Sequence, residues 1–249
     1  MTDTAFLPTD YGYIDRNLEQ VRRRIAEVCR AVGRDPAEIT LLAAIKSADV
    51  GEINHLRHLG VTHLGENRVQ QLRERYDRLD RGGTTLHFIG SLQTNKVKYI
   101  IDKVDMVESL DSLSLAVELE RQAERHDRVI DVLVEINSGR EPNKGGVLPE
   151  AAVAFVRELR NLEHLRLRGF MTMAARGDET SYRRMFGETR RLAQELWAGV
   201  GSTDTPMVLS MGMSESYLYA AAEGATQVRV GRALFAREDI PPHTEEKLY

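Results

Sequence analysis

The run LLAAIK at 41–46 carries five apolar residues straight into an ammonium group, Lys46, and the polar residues after it suit the start of a helix. A strand-terminal lysine is ordinarily a solvated rim group. Here Leu42, Ala44 and Ile45 flank it, and partial desolvation by such neighbours lowers an amine pKa and favours the neutral, nucleophilic form. A neutral primary amine condenses with an aldehyde to give a Schiff base.

A second stretch, LSMGMSESYLYAAAEGATQVRVGRALF at 209–235, bears on what that aldehyde would carry. Ser214 is placed to cap a helix over 215–223, and Gly231 lets the backbone near a last strand approach a ligand closely. Backbone N–H groups at a short helix start are suited to holding a phosphate. A capped helix plus a strand glycine would account for either part alone. A lysine facing such a cradle suits a phosphorylated aldehyde. Arg229 and Arg232 lie on either side of Gly231 in VRVGR, and a charge inside an apolar strand needs a partner. That partner is either a barrel carboxylate or a heteroaromatic ring nitrogen, to which Arg229 would donate and so disfavour its protonation.

Other constellations carry less chemistry. His55, His58 and His63 have metal-like spacing, yet the first two fit a solvated helix face and no nearby cysteine completes a set. Arg22, Arg23 and Arg24 are bracketed by Glu19 and Glu27, as on a surface helix. Cys29 lies beside the helical apolar positions Val21, Ile25, Val28 and Val32 and reads as packing. GVGS at 199–202 lacks a preceding strand and is no dinucleotide fingerprint.

The elements that must position these groups alternate. A helix is predicted from Asn17 to Val32, and β-rich runs follow at 39–46, 62–66, 86–90, 105–110, 129–137, 165–173, 207–211 and 227–235. Helical patterns between them, such as Val69, Leu72, Tyr76 and Leu79, or Leu115, Val117, Leu119 and Ala123, are long enough for right-handed crossovers between parallel strands. About eight strand-then-helix units predict an α/β protein, a single TIM-type (β/α)8 barrel with an extra N-terminal helix, spanning residues 1–249 as one domain. An open doubly wound sheet would have a similar strand count. In a barrel, Lys46, Glu66, Asn67, Ser91, Asn137, Met171, Met173, Ser210, Ser214 and Gly231 all fall at or near C-terminal strand ends, where binding groups converge on one mouth.

With 249 residues and a formal net charge of −4, the chain has the length for a large core and no global positive field to gather nucleic acid or anionic membrane. The N-terminal MTDTAFLPTDYGYID lacks the basic and apolar regions of a secretory signal, so a cytoplasmic location is expected.

The blocks AAIK at 43–46, HLGENRVQQ at 63–71, HFIGSLQTNK at 87–96, NKGG at 143–146, RGFMTM at 168–173, LSMGMS at 209–214 and VRVGRALF at 228–235 together resemble the pyridoxal phosphate homeostasis proteins, the YggS/PROSC group. Their fold is similar to the barrel of alanine racemase. The resemblance implies that Lys46 carries pyridoxal 5′-phosphate as an internal aldimine, that Ser210, Ser214, Gly231 and Arg232 line the phosphate site, and that Arg229 faces the ring nitrogen. It also implies Asn67, His87 and Met171 as pocket residues, and a carrier or buffer of vitamin B6 with apoenzymes as recipients. The alternatives are an amino-acid racemase-like enzyme, for which the opposing tyrosine domain is not seen, and a cofactor-free Schiff-base aldolase, for which Glu66 is the candidate carboxylate. A monomer is expected, since the racemase dimer leans on that domain. Ile45 and Ser47 stand where Ser and Thr usually flank the lysine, Arg232 where a threonine follows the glycine, and Ala236 where a glycine follows Phe235. Arg232 either offers a charge-assisted bond to the phosphate or points away and offers its backbone N–H.

Overall fold

In a computed structural model of the chain, described over residues 10–141, 144–200 and 205–237, the strands close into a parallel barrel. They are β1 (Thr40–Ala44), β2 (His63–Glu66), β3 (Thr85–Phe88), β4 (Met106–Leu110), β5 (Ile130–Ile136), β6 (Leu165–Thr172), β7 (Val208–Ser210) and β8 (Gln227–Val230). Neighbours pair in chain order, and β8 returns to β1 with Leu42 opposite Arg229. The helices are α1 (Gly12–Ala31), α2 (Val50–His58), α3 (Val69–Arg75), α4 (Leu113–Arg125), α5 (Ala152–Leu159), α6 (Glu179–Val200), α7 (Tyr217–Ala222) and α8 (Arg232–Phe235).

Strand alternation sorts the side chains into two compartments. On β5, Val132, Val134 and Ile136 join the core between barrel and helices, whereas Leu133 packs with Met106 and Met171 in a small cluster of its own. Along α1 the stripe Ile14, Leu18, Val21, Ile25 and Val28 recurs every three or four residues and is buried. Cys29 lies in the same core, and burial pushes its thiol pKa up, as suits a packing residue. Asn17 on α1 donates to Leu234 O at 3.1 Å and Ala236 O at 2.8 Å, which pins the helix to the segment after β8.

The structure departs from the sequence reading at several ends. α1 starts at Gly12 rather than Asn17, because Ile14 already contributes to the buried stripe. β8 stops at Val230; Gly231 leaves extended geometry, and 232–235 turn into α8, which buries Leu234. The helix expected over 215–223 is the shorter α7, and Ser216, not Ser214, precedes it. The crossover after β3 uses a 3-10 turn, Thr94–Tyr99. NKGG begins at Asn143, and GVGS includes 201–202, outside the described residues. Among the described residues no helix is long and apolar enough to cross a membrane.

Candidate cofactor site at the barrel mouth

The C-terminal strand ends open on a cavity of about 780 Å3, at the end where such barrels place their sites. Lys46 and Ser47 after β1, Asn67 after β2, Ser91 after β3, Asn137 after β5, Met173 after β6, Ser214 after β7, and Arg229, Gly231 and Arg232 at β8 all line it.

Lys46 is presented by a tight turn. Ile45 is fully buried, and Asp49 then starts α2 through a capping box with Glu52. Behind the turn, Arg75 on α3 donates from Nη1 to Ile45 O and Ala48 O, each at 3.1 Å. Arg75 is ion-paired with Glu66, whose Oε1 accepts from Asn67 N at 2.7 Å and Arg68 N at 3.0 Å. One buried ion pair therefore braces the loops that present both Lys46 and Asn67. Lys46 itself is exposed, not desolvated as its neighbours imply, because Leu42 and Ile45 are buried below it and do not cover the amine. Glu66, the carboxylate named for the aldolase alternative, does not line the mouth; it pairs with Arg75 on α3.

Across the mouth, Gly212 adopts φ +84, where a Cβ would meet the Ala220 Cβ at 2.6 Å, and its turn leads to Ser214. Ser214 Oγ accepts from Gly231 N at 3.3 Å. A Cβ on Gly231 would stand 2.8 Å from Ala44 O, so only glycine keeps this close approach between β8 and β1. Arg232 is 69% exposed at its side chain and donates from Nη1 to Glu215 at 2.8 Å on the rim. Its guanidinium is thus directed to a carboxylate.

Arg229 is buried and donates from Nη1 to Ser210 O and Oγ at 2.8 and 2.7 Å and from Nη2 to Thr172 O at 2.8 Å. Burial pushes its pKa down, against the opposing pull of Glu108 and Glu135. Ser210, His87 and Met171 do not line the mouth; all three are buried. His87 Nδ1 lies 2.7 Å from Glu108 Oε1, and its Nε2 lies 2.9 Å from His63 Nδ1. Ser210 donates to Glu108 Oε2 at 2.7 Å, and Gln227 donates to Glu108 Oε1 at 2.7 Å. β4 faces β7 and β8 across the closed barrel, so these bonds cross its interior. Burial pushes Glu108 up, but the hydrogen bond and charge of His87, with Arg229 and Ser210, hold it below its ordinary value. The carboxylate therefore accepts, and the ring proton sits on His87 Nδ1.

Glu135 on β5 also lines the mouth, and burial raises its pKa to about 7 even with Arg229 nearby. Sequence reasoning misses both Glu108 and Glu135. Their signal was a carboxylate inside an apolar strand, the same signal that singled out Arg229. The histidines do not gather: His55 pairs with Asp15 at 3.0 Å and His63 faces His87. Chemically, the mouth combines an accessible amine, a close backbone approach beside a hydroxyl, and a buried guanidinium.

The family model described as alanine racemase, N-terminal domain, matches residues 10–239. A pyridoxal phosphate homeostasis protein of Aquifex aeolicus is 38% identical over 88% of this chain and 95% of its own length. One from Escherichia coli K12 is 36% identical over 91% of this chain and 97% of its own. The structure of PipY from Synechococcus elongatus with pyridoxal phosphate bound superposes with a TM-score of 0.70 at 31% identity, covering 85% of this chain and 99% of that one. The chain belongs to the alanine racemase N-terminal domain family and, within it, to the pyridoxal phosphate homeostasis proteins.

Proposed function

We propose that this protein binds pyridoxal 5′-phosphate at the barrel mouth through Lys46 and buffers or delivers it to apoenzymes of the cytoplasm, without turning over amino acids. The observation that carries the reading is the placement of a strand-end lysine and the Ser214–Gly231 turn on one cavity, with Arg229 in the same wall.

The residues fit the cofactor. An aldehyde requires a primary amine, which Lys46 offers at the surface of the cavity. A phosphate requires hydrogen-bond donors, and the Ser214 hydroxyl offers one at the cavity wall, with Gly231 beside it. Asn67 Oδ1 is buried without a hydrogen-bond partner, the kind of orphan that a ligand completes. When bound, pyridoxal phosphate supplies an aldehyde that links reversibly to an amine and an electron-withdrawing ring. Lys46 would provide the amine, Ser214 and Gly231 would hold the phosphate, and Arg229 would serve the ring nitrogen as a donor and so disfavour its protonation. A cationic donor at that nitrogen leaves the ring a weaker electron sink than a carboxylate partner would, which supports retention over turnover. Relatives named as homeostasis proteins, and PipY with pyridoxal phosphate bound, support the same reading.

Titration with pyridoxal phosphate, followed by borohydride reduction and peptide mapping, tests the reading. The expected result is a reducible absorbance with the adduct on Lys46, lost in Lys46→Ala while the fold and weak non-covalent binding persist. An adduct on another lysine refutes the Lys46 assignment, and a protein that takes up no cofactor refutes the function. Deuterium exchange at Cα of L-alanine is expected to match free cofactor; robust exchange with D-alanine formation would make this a racemase.

A further inference from the structure

Beside the mouth, α3 and the turn Thr94–Tyr99 border a groove of about 1080 Å3, with Arg68, Arg73, Lys96 and Lys103 among its lining and Glu74 as its carboxylate. The groove shares Asn67 and Ser91 with the mouth cavity, so the two adjoin. Arg73, Lys96 and Lys98 gather on the ring of Tyr99, at 4.6, 5.8 and 5.1 Å from its centroid. Glu74 accepts from Gln70 Nε2 at 2.8 Å, and Lys103 pairs with Asp102 at 2.7 Å. The cations on the ring repel one another, and attraction to the ring offsets only part of that. In a chain of net charge −4, such a cluster is not a by-product of general basicity. It is complementary to an anion, and the volume admits a whole phosphorylated small molecule.

We infer that this groove is a receiving site for phosphorylated small molecules, which captures the phosphate of incoming pyridoxal phosphate and raises its concentration at the adjoining mouth. The inference rests on the function proposed above. Cationic clefts focus anionic ligands and act on association more than on dissociation. The groove cations are therefore a loading device, distinct from the residues that retain the cofactor.

Stopped-flow association of pyridoxal phosphate with the full chain, over a sodium chloride series, tests this. The double variant Arg73→Gln, Lys96→Gln is compared with the charge-keeping pair Arg73→Lys, Lys96→Arg; both side chains are exposed, so folding tolerates the changes. The neutral pair is expected to associate about tenfold more slowly at low salt, with a flatter salt dependence and unchanged dissociation. The charge-keeping pair should behave as wild type, and pyridoxal, which lacks the phosphate, should associate equally with all three proteins. Equal pyridoxal phosphate rates and salt slopes in wild type and the neutral pair would overturn the inference, as would an equal loss for pyridoxal. Normal equilibrium uptake with unchanged rates overturns this inference alone; no equilibrium uptake by wild type overturns the proposed function and this inference with it.

Discussion

The Arg229 guanidinium, 3% exposed, is held by Ser210 and Thr172 and lies within the electrostatic reach of Glu108 and Glu135. Arginine's high ordinary pKa keeps it charged in spite of burial. Replacing it with glutamine shortens the reach into the mouth and removes the charge that moderates both carboxylates. Arg229→Gln is expected to retain some pyridoxal phosphate, with a perturbed spectrum and binding weaker by roughly 1.5–3 kcal/mol, the scale of a lost charged hydrogen bond. Equilibrium titration with absorbance detection measures both; wild-type spectrum and affinity would leave Arg229 a structural residue only. Arg229 was legible as a charge in the apolar run VRV, and Gly231 as the break that follows it. Ser210, His87 and Met171 are buried and do not line the mouth; neither a strand-end position, for Ser210 and Met171, nor a motif match, for His87, says how deep an inward side chain sits. Glu108 was not legible as the centre of a network, because only barrel closure brings it to Gln227 on β8.

Among the elements, α3 works through its last residue. Arg75 links the turn after β1 to the end of β2 by donating to Ile45 O and Ala48 O and pairing with Glu66. Arg75→Met leaves Glu66 as an uncompensated buried carboxylate, and the expected loss is about 3–5 kcal/mol in urea denaturation. Adding Glu66→Gln should restore much of that stability without restoring the brace. Cofactor capture by Lys46, measured as the rate at which the borohydride-reducible adduct forms, should therefore stay slower than wild type in the double variant. A double variant with the wild-type rate would show that the Lys46 turn holds itself. Apolar periodicity located the eight strands of the described residues, whereas their pairing in chain order into a closed barrel, rather than a doubly wound sheet, came from the structure. Periodicity misplaced Glu66, because the two-residue period puts that carboxylate on the same side as Leu64, toward the helices, with Gly65 packed against Leu42 and Ile89. The ends of α1 and β8 depended on tertiary packing, through the burial of Ile14 and Leu234, which no local signal announced.

For the whole molecule, two groups inside the barrel give stability opposite responses to pH. Burial, aided by His87, lowers the His63 pKa from 6.5 to about 4. Between those values the unfolded chain binds a proton that the native protein refuses, so this contribution rises as pH climbs from about 4 to 6.5. Burial raises Glu135 from 4.5 to about 7, and there the native protein keeps a proton that the unfolded chain has released. That contribution is present below 4.5 and is lost as pH climbs to about 7. Each is worth on the order of 1–3 kcal/mol, and over the shared window the two slopes offset one another. Single variants separate them. Relative to wild type, Glu135→Gln should gain stability as pH rises from 4.5 to about 7, whereas His63→Gln should lose it from about 4 to 6.5. Urea midpoints at half-unit pH steps, plotted as variant minus wild type, should give curves of opposite sign, and the double variant should give a difference curve flattened across the shared window. Flat curves for both single variants would mean that neither group is shifted in the folded protein, and the polar barrel interior would then be indifferent to proton uptake.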